Sequence, residues 1–359
     1  MYPLGKSGMS LILATLWLCA SESQIAAQTF TTLLSFDGTD GANSTAGLIR
    51  ATDGNFYGTT SEGGANSAGT VFRISPSGVL TTIHSFCSLS GCSDGANPFG
   101  ALIQATDGNL YGTTNGFAFH NTGTVFKITL SGALTTLTTF GNTGGQFPLA
   151  GLIQGKDGDL YGTTSRGGAN ICTLRPGYRP SCGTIFKITT GGTLTTLASF
   201  DQATGFAPSS PLIQGTDGNF YGTTPEGGAN YPGFGTVFKV TATGTLTVLH
   251  SFDATDGEKS FAALVQGTDG NFYGTTSFGG GNPNFGGTVF KITPTGTLTT
   301  LHSFGSGDGT GASAALIQAT DGDFYGTTSG YGVSNTGTVF KITPSGTLTT
   351  LHHLRRYRR

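Results

Sequence analysis

Cysteines supply the clearest chemical signal in this sequence, because four of them fall into two close pairs. Cys87 and Cys92 stand in "CSLSGC", and Cys172 and Cys182 stand in "CTLRPGYRPSC". An even number of cysteines in close pairs is typical of disulfides formed in an oxidising compartment. A metal site is the alternative for the same residues. We predict two local disulfides, Cys87–Cys92 and Cys172–Cys182.

The segment between the second pair of cysteines carries side chains suited to binding. Arg175, Tyr178 and Arg179 all lie within it. Arginine and tyrosine are enriched at binding hot spots, where they combine polar contacts with a large contact area. We therefore predict that these three residues belong to a ligand-binding loop. Ordinary exposed residues on a tolerated insertion are the alternative.

The sequence has no motif typical of a known catalytic class. The sequence contains no G-x-S-x-G, H-E-x-x-H or Walker motif. Histidines recur at one position of a repeat, which indicates a structural role, at His84, His250, His302 and His352. Charged residues are only 10% of the chain and the net charge is −2, whereas nucleic-acid binding requires clustered Lys and Arg. The sequence thus predicts no catalytic set, cofactor, metal site or nucleic-acid partner.

A nine-residue phrase, "TDGNFYGTT" with its near-copies, recurs six times. Its aspartates follow at intervals of 54, 50, 60, 52 and 52 residues, at Asp53, Asp107, Asp157, Asp217, Asp269 and Asp321. Asp-Gly is the preferred pair of a two-residue type I′ hairpin turn, because glycine accepts a positive φ. We interpret the phrase as such a turn followed by a strand, with a calcium-binding loop as the alternative. Phe56 and Tyr57 of that strand would face opposite neighbouring units.

Each repeat of about 53 residues contains four segments of strand length. In the fifth repeat they are "AALVQGT", "NFYGTT", "GTVFKIT" and "TLTTLHSF", and none shows the apolar period of a helix. Four antiparallel strands repeated radially are typical of a β-propeller blade. The sequence therefore predicts an all-β fold, a single β-propeller over residues 28–354 with six four-stranded blades. A seven-bladed or an open ring is the alternative.

The fourth segment, strand D, occurs seven times, whereas the other three occur six times. The additional copy is "TFTTLLSF" at residues 29–36, and the last copy ends in Leu354 where the other six end in Phe. Completion of the last blade by the N-terminal copy is one way to close the ring, and completion by the C-terminal copy is the alternative.

Variable residues concentrate in two of the four connections of the repeat. The A–B and C–D turns are short and uniform, whereas the B–C and D–A loops vary and contain both cysteine pairs. In an up-and-down blade these two loops share one face, and binding residues are commonly carried by variable loops on a rigid scaffold. We predict that this loop face binds the ligand. Its aromatic candidates for stacking on sugars, or for packing between blades, are Phe117, Phe119, Tyr231, Phe234 and Tyr331.

The N-terminus has the pattern of a secretion signal. Lys6 precedes the apolar stretch Met9–Ala20, and small residues precede Gln28. The apolar stretch is shorter than the roughly 20 residues of a membrane span. We predict a signal peptide over residues 1–27, hence a secreted, extracellular or periplasmic protein, with a lipoprotein anchored at Cys19 as the alternative. Residues 355–359, "RRYRR", are predicted to be a basic tail.

Three phrases, "DGNFYGTT", "GTVFKIT" and "GTLTTLHSF", recur in this order six times over residues 30–354. In these phrases the chain resembles the GloVer (Gloeobacter/Verrucomicrobium) tandem repeats of bacterial "choice-of-anchor" proteins, and its strand B is similar to that of two-component-regulator propeller repeats. The resemblance implies a secreted or surface-displayed propeller and transfers no catalytic residue. We expect a non-enzymatic protein that binds polysaccharide, cell-envelope material or protein through the loop face. A purely structural surface protein, or a glycan-acting hydrolase or lyase, is the alternative.

Overall fold

The computed structural model describes residues 34–116, 122–172, 181–230, 233–281, 286–305, 307–330 and 337–354. Within these ranges the regular structure consists of 24 β-strands and a single short helical turn, Ser90–Cys92. Residues 1–33, which include the predicted signal peptide, and the basic tail lie outside the described residues. None of the helical structure in the described part of the chain has the length and apolarity that a membrane span needs.

The strands form six separate sheets, each with four antiparallel strands in the chain order A–B–C–D. Blades 1 to 3 consist of β1–β4 (Ile49–Arg50, Phe56–Thr60, Thr70–Ile74, Leu80–Ser85), β5–β8 (Ile103–Gln104, Leu110–Thr114, Thr124–Ile128, Leu134–Thr139) and β9–β12 (Ile153–Gln154, Leu160–Thr164, Thr184–Ile188, Leu194–Ser199). Blades 4 to 6 consist of β13–β16 (Ile213–Gln214, Phe220–Thr224, Thr236–Val240, Leu246–Ser251), β17–β20 (Val265–Gln266, Phe272–Thr276, Thr288–Ile292, Leu298–Ser303) and β21–β24 (Ile317–Gln318, Phe324–Thr327, Thr338–Ile342, Leu348–His353). The predicted six-bladed β-propeller is confirmed.

The A–B turn differs from the predicted two-residue type I′ hairpin. Among the turn residues of blade 1 only Gly54 has a positive φ, of 83°. Its N–H donates to the carbonyl of Ala51 at 2.9 Å, and the N–H of Ala51 donates to Asn55 at 2.9 Å. The connection is therefore a three-residue loop, a tight turn followed by a left-handed glycine. One additional residue lets Asp53 keep an ordinary backbone conformation, so glycine alone carries the positive φ.

Strand B supplies the contacts between neighbouring blades. Tyr161 stacks on Phe220 of the next blade with ring centroids 3.9 Å apart. The same contact joins Tyr221 to Phe272 at 4.0 Å and Tyr273 to Phe324 at 4.0 Å. The two aromatic residues of the phrase therefore face opposite neighbours, as predicted. The phrase recurs because successive blades make the same contacts.

The glycine of strand B makes room for the core of its own blade. A Cβ at Gly222 would lie 2.6 Å from the ring of Phe238 and 3.0 Å from Leu212. The ring of Phe238 packs edge-on against Phe200, the residue that follows strand D of the preceding blade, at 5.0 Å. A side chain at this glycine would therefore disturb both the blade and its boundary with the neighbour.

The last blade is completed by one of the two terminal copies of strand D. Leu348–His353 pairs along strand C of blade 6, Thr338–Ile342, so the C-terminal strand D occupies this edge. Of the two alternatives, the structure therefore shows the C-terminal copy as the strand D of blade 6. Strands C and D are joined by a short turn, and closing a short loop costs less conformational entropy than recruiting a strand from the far end of the chain.

Candidate functional site

The loop face is built from the D–A loop that enters each blade and from the B–C loop of the same blade. In blade 3 the N–H of Gln146 donates to Arg166 at 2.7 Å, and the N–H of Arg166 donates back at 3.0 Å. Equivalent bridges join Ala42 with Glu62, Phe206 with Glu226, Glu258 with Phe278 and Thr310 with Gly330. The two variable loops therefore share one face, as predicted. The backbone of the bridge is repeated while its side chains differ from blade to blade.

The residue that follows each bridge on the D–A loop has a left-handed backbone. Its φ is 56° at Phe147, 55° at Ala207 and 54° at Lys259. The same position in the other blades is held by Asn43, Asn97 and Gly311. Phe147 is held on both sides, because its N–H donates to Thr122 and its carbonyl accepts from Ser165. This conformation is rare for a bulky residue and is often found at functional sites, where surrounding contacts stabilise it.

Two adjoining cavities open on the loop face. The first has a volume of about 280 Å³ and is lined by Leu149, Ser165, Arg166, Ser181, Phe206, Ala207, Ser209, Pro225, Glu226 and Phe261. The second has a volume of about 290 Å³ and is lined by Asn115, Phe147, Leu149, Ser165 and Arg166. Because Arg166 belongs to both, we call the pair of cavities the Arg166 cleft. Its lining comes from loops of blades 2 to 5.

Arg166 is the cationic group of the cleft. Its side chain is exposed, and its guanidinium carbon lies 5.8 Å from the ring centroid of Phe147. This cation–π contact orients the guanidinium without neutralising it. No carboxylate of the described residues lies within ion-pair distance of Arg166. An uncompensated, oriented guanidinium is suited to bidentate binding of a carboxylate.

Two carboxyl groups in this region resist ionisation. Burial raises the pKa of Glu226, and the positive charge of Lys259 only partly opposes this effect. Burial likewise raises the pKa of Glu258, again against the charge of Lys259. A carboxyl group that keeps its proton longer can donate a hydrogen bond to a ligand oxygen. The same property is required of a general acid.

Two polar atoms of the cleft lack partners. The hydroxyl oxygen of Ser209 and the amide oxygen of Asn115 are buried without a hydrogen bond in the described residues. Ser209 lines the first cavity and Asn115 the second. An unsatisfied buried polar group costs about 1–3 kcal/mol, so a ligand that pairs with it recovers part of this cost. Beside Ser209, the ring of Phe261 is 39% exposed and offers an apolar surface.

Both predicted disulfides are present in the structure. Cys87 is bonded to Cys92, and Cys172 is bonded to Cys182. Cys172 and Cys182 are fully buried in one core cluster with Phe206, which also lines the cleft. The second disulfide therefore fixes part of the cleft wall.

The predicted ligand residues of the disulfide loop, Arg175, Tyr178 and Arg179, lie outside the described residues. The same holds for four of the aromatic candidates, Phe117, Phe119, Tyr231 and Tyr331. Phe234 is described, and it is partly buried against the core cluster of blades 4 and 5. For this residue the structure favours packing between blades over a role in stacking on sugars.

The repeated Asp-Gly turn shows hydrogen bonding rather than cation ligation. In blade 1 the carboxylate of Asp53 accepts from the side chains of Asn55 at 2.9 Å and Tyr57 at 2.7 Å. Desolvation works against ionisation, but these bonds hold the pKa of Asp53 below its usual value. In the described part of the chain no group of three or more His, Cys, Asp or Glu side chains is placed to hold a metal ion.

The recurring histidines anchor loops. Three of the four pair with an aspartate of the D–A loop that follows them, His84 with Asp94 at 3.2 Å, His250 with Asp256 at 2.7 Å and His302 with Asp308 at 2.5 Å. Burial lowers the pKa of His84 despite the neighbouring carboxylate. Because each pair lies within one loop connection, the geometry favours a structural role.

The family assignment follows from the repeat itself. The family model for the Gloeobacter/Verrucomicrobia repeat matches residues 21–174 and 171–358. The chain belongs to this family. No curated protein matches the sequence of this Gloeobacter/Verrucomicrobia repeat protein.

Solved structures share the fold of this Gloeobacter/Verrucomicrobia repeat protein at low sequence identity. One is a Bacteroides uniformis protein described as a 6-phosphogluconolactonase, with 17% identity, 87% of this chain and 85% of that chain covered, and a TM-score of 0.55. Another is a puromycin hydrolase with 14% identity, 84% and 44% of the two chains covered, and a TM-score of 0.52. These similarities support the propeller fold and transfer no activity.

Sequence reasoning missed the residues of the cleft, although the repeat contains a signal for them. After strand B, four of the six repeats of this Gloeobacter/Verrucomicrobia repeat protein contain a phrase of the form "TT-S/P-x-GG", and Arg166 and Glu226 occupy its variable position x. A residue that differs between copies of a strongly repeated phrase is free of the constraints of the repeat. Comparing the copies position by position would therefore have selected both residues.

Proposed function

We propose that this protein is a secreted, non-enzymatic binding module for a polysaccharide with carboxylate groups, and that the Arg166 cleft receives one of its sugars. The observation that carries the proposal is the exposed guanidinium of Arg166, oriented on Phe147 and without a carboxylate partner among the described residues. The two disulfides and the N-terminal sequence pattern support secretion.

Each group of the cleft has a defined role in this proposal. Arg166 binds the sugar carboxylate through two charge-assisted hydrogen bonds. The hydroxyl of Ser209 and the amide oxygen of Asn115 pair with sugar hydroxyls and thereby gain the partners that they lack. The exposed ring of Phe261 packs against the apolar face of a sugar ring. A polar ligand with apolar faces and an acidic group satisfies all four residues together.

The test is binding of an acidic and a neutral oligosaccharide, oligogalacturonate and cello-oligosaccharide, to the purified protein by calorimetry. We expect binding of the acidic sugar, weakened roughly ten- to a hundred-fold in Arg166→Ala, since a hydrogen bond to a charged group contributes about 1.5–3 kcal/mol. Arg73→Ala is the matched control, because Arg73 lies on strand C outside the cleft and bonds Thr81. Equal loss in both variants, or no binding of either sugar, would contradict the proposal.

A glycan-acting hydrolase or lyase is the second candidate, favoured by one observation. Burial raises the pKa of both Glu226 and Glu258, each against the charge of Lys259, and glycoside hydrolysis employs a pair of carboxyl groups of which one is a general acid with a raised pKa. The same incubation is therefore assayed for new reducing ends and for unsaturated products. Product release that disappears in Glu226→Gln would establish the enzyme, and retention without product would support the binding module.

A further inference from the structure

Each blade of this chain buries one face against the next blade, and blade 6 is the exception. In blade 1 this trailing face comprises Ile49, Tyr57, Val71, Ile83 and Phe86, which share a core cluster with residues of blade 2. In blade 6 the equivalent residues include Ile317, which is 66% exposed, and Leu351, which is 50% exposed. The trailing face of blade 6 has the same apolar residue types as the five covered faces, but none of the described residues covers it.

The leading face of blade 1 is uncovered in the same way. Leu48 is 49% exposed, whereas its equivalents are at most 4% exposed, namely Leu102, Leu152, Leu212, Leu264 and Leu316. Phe56 is only half-buried, whereas its equivalents of strand B, which receive a tyrosine ring or pack beside it, are fully buried. Both end faces thus have the composition of an interior boundary between blades.

Phe36 shows what precedes blade 1. Its ring packs edge-on against Phe72 at 5.0 Å. In the other blades the same contact, at 5.0–5.3 Å, is made by the residue that follows strand D of the preceding blade, Phe86, Phe140, Phe200, Phe252 or Phe304. The sequence around Phe36 is the seventh copy of the strand D phrase, for which the chain has no matching copies of strands A to C.

We propose that the trailing face of blade 6 is a docking surface for strands A to C of a seventh blade of the same repeat type. In that arrangement Phe36, packed against Phe72, holds the position of the phenylalanine that follows strand D of the seventh blade. The unit that docks is a three-stranded β-meander, and it makes contact through the leading face of the repeat. On this face a leucine precedes strand A, and a phenylalanine or leucine begins strand B. Such a unit would cover Ile317, Tyr325 and Leu351 as blade 2 covers their equivalents in blade 1.

Two contacts repeated at the five internal boundaries specify the partner further. A glutamine at the end of strand A accepts from a backbone N–H of the preceding A–B turn, as Gln104 does from Thr52 at 2.8 Å. A glycine of the C–D turn lies against the carbonyl of the preceding strand D, as Gly132 does against Ile83, where an added Cβ would be 2.6 Å away. In blade 6 the turn residue Thr320 has no glutamine partner among the described residues.

The glutamine also separates two sources of the partner. A second copy of this chain would present its own blade 1, in which Arg50 stands at the position of the glutamine. The other five blades have glutamine there, at Gln104, Gln154, Gln214, Gln266 and Gln318. The partner that reproduces the repeated boundary is therefore an internal type of repeat unit rather than blade 1 of a second copy.

The test extends the chain by one such unit. A copy of residues 253–296, which contains the entering loop and strands A to C of blade 5, is joined after Leu354 in place of residues 355–359. We expect amide hydrogen exchange in Phe324–Thr327 and Leu348–His353 to slow by at least about tenfold, together with a higher melting temperature. The matched control carries Leu264→Ser and Phe272→Ser in the added copy, and it should leave the exchange rates of the parent chain unchanged.

Three results would overturn the proposal. The first is exchange at the parent rate in the extended chain, whether or not the added segment is folded. The second is equal protection by the serine control, because protection would then not depend on the leading face. The third is a parent chain that is dimeric by light scattering and already protected at blade 6, since a second copy would then cover this face. As an independent check, Ile317→Arg should leave the melting temperature of the parent unchanged and lower that of the extended chain.

Discussion

The face that carries the A–B and C–D turns, here called the turn face, and the loop face use the same repeated backbone in opposite ways. On the turn face, Asp217, Asn219 and Tyr221 form one closed set of hydrogen bonds, and five other blades repeat the aspartate–tyrosine bond. On the loop face, the bridge is repeated but its side chains change, as between Gln146–Arg166 and Glu258–Phe278. The repeat therefore constrains backbone and side chains on one face and only the backbone on the other.

The comparison indicates which residues can be substituted to create a binding site without loss of stability. Polar groups of the turn face satisfy one another, so substitutions there lose stability without gaining an interaction. The cleft residues Arg166, Ser209 and Asn115 lack such internal partners in the described structure. Specificity can change on the loop face while the scaffold remains the same.

The largest expected effect on stability tests whether all parts of the loop face tolerate substitution equally well. Replacing both Cys172 and Cys182 by Ser should lower the free energy of unfolding by about 2–4 kcal/mol, because the unfolded chain is no longer constrained and two buried groups become polar. The double replacement of Cys87 and Cys92 is the control and should cost less, since it releases a shorter loop and Cys87 is only half-buried. Chemical denaturation measures both. Equal losses would show that loop length and burial do not govern the effect.

A smaller loss of stability is expected from breaking one of the repeated sets of hydrogen bonds on the turn face. Asp217→Ala leaves the buried hydroxyl of Tyr221 and the side chain of Asn219 without their acceptor, and this should cost about 1–3 kcal/mol. Asp321→Ala is the matched control in blade 6, where the equivalent Tyr325 is more exposed and water can replace the carboxylate. Melting curves that show the reverse order would contradict this account of the turn face.

Alkaline pH should break the same aspartate–tyrosine hydrogen bonds without mutation. Burial, and then the bond to Asp53, raise the pKa of Tyr57 from its ordinary value of 10.0 to about 12. Because the fold favours the neutral phenol, this stabilisation is complete below pH 10 and is lost as the pH rises from 10 towards 12. The melting temperature should therefore fall over this interval, and the fall should be less steep in Tyr57→Phe. An unchanged slope in that variant would refute the assignment.

The smallest effect on stability is expected at the cleft. Glu226→Gln preserves the shape of a half-buried side chain and should change the free energy of unfolding by less than about 0.5 kcal/mol, while sugar affinity changes measurably. Calorimetry of unfolding and of binding separates the two quantities. A loss of stability comparable with that of Asp217→Ala would remove the distinction between the two faces.

Most of the fold could be predicted from the sequence, and the exceptions have local causes. The strand-forming phrases, their order and both disulfides follow from the period and from spacing along the chain. The A–B turn was assigned the wrong type, because Asp-Gly is compatible with both a two-residue and a three-residue connection. The choice between the two terminal copies of strand D stayed open, since counting phrases cannot show that the C-terminal copy occupies the edge of Thr338–Ile342.

Much less of the candidate site could be predicted. The loop face was identified from its variability, but the proposed loop residues Arg175, Tyr178 and Arg179 lie outside the described residues. The Arg166 cleft combines Asn115, Arg166 and Glu226, which are about one repeat apart in the sequence. No spacing rule joins such residues, because their proximity depends on the packing angle between blades.

The sequence by itself determined the period and the four strands of each blade, because every repeat contains the same strand and turn phrases. It also determined the two disulfides, because each joins cysteines that are close together in the chain. Only the tertiary structure decided which variable residues meet in one cleft and which apolar faces remain uncovered. The reason is physical. A repeat encodes the contacts within a blade and with its two neighbours, whereas the convergence of loops and the exposure of Leu48 and Ile317 depend on where the row of blades begins and ends.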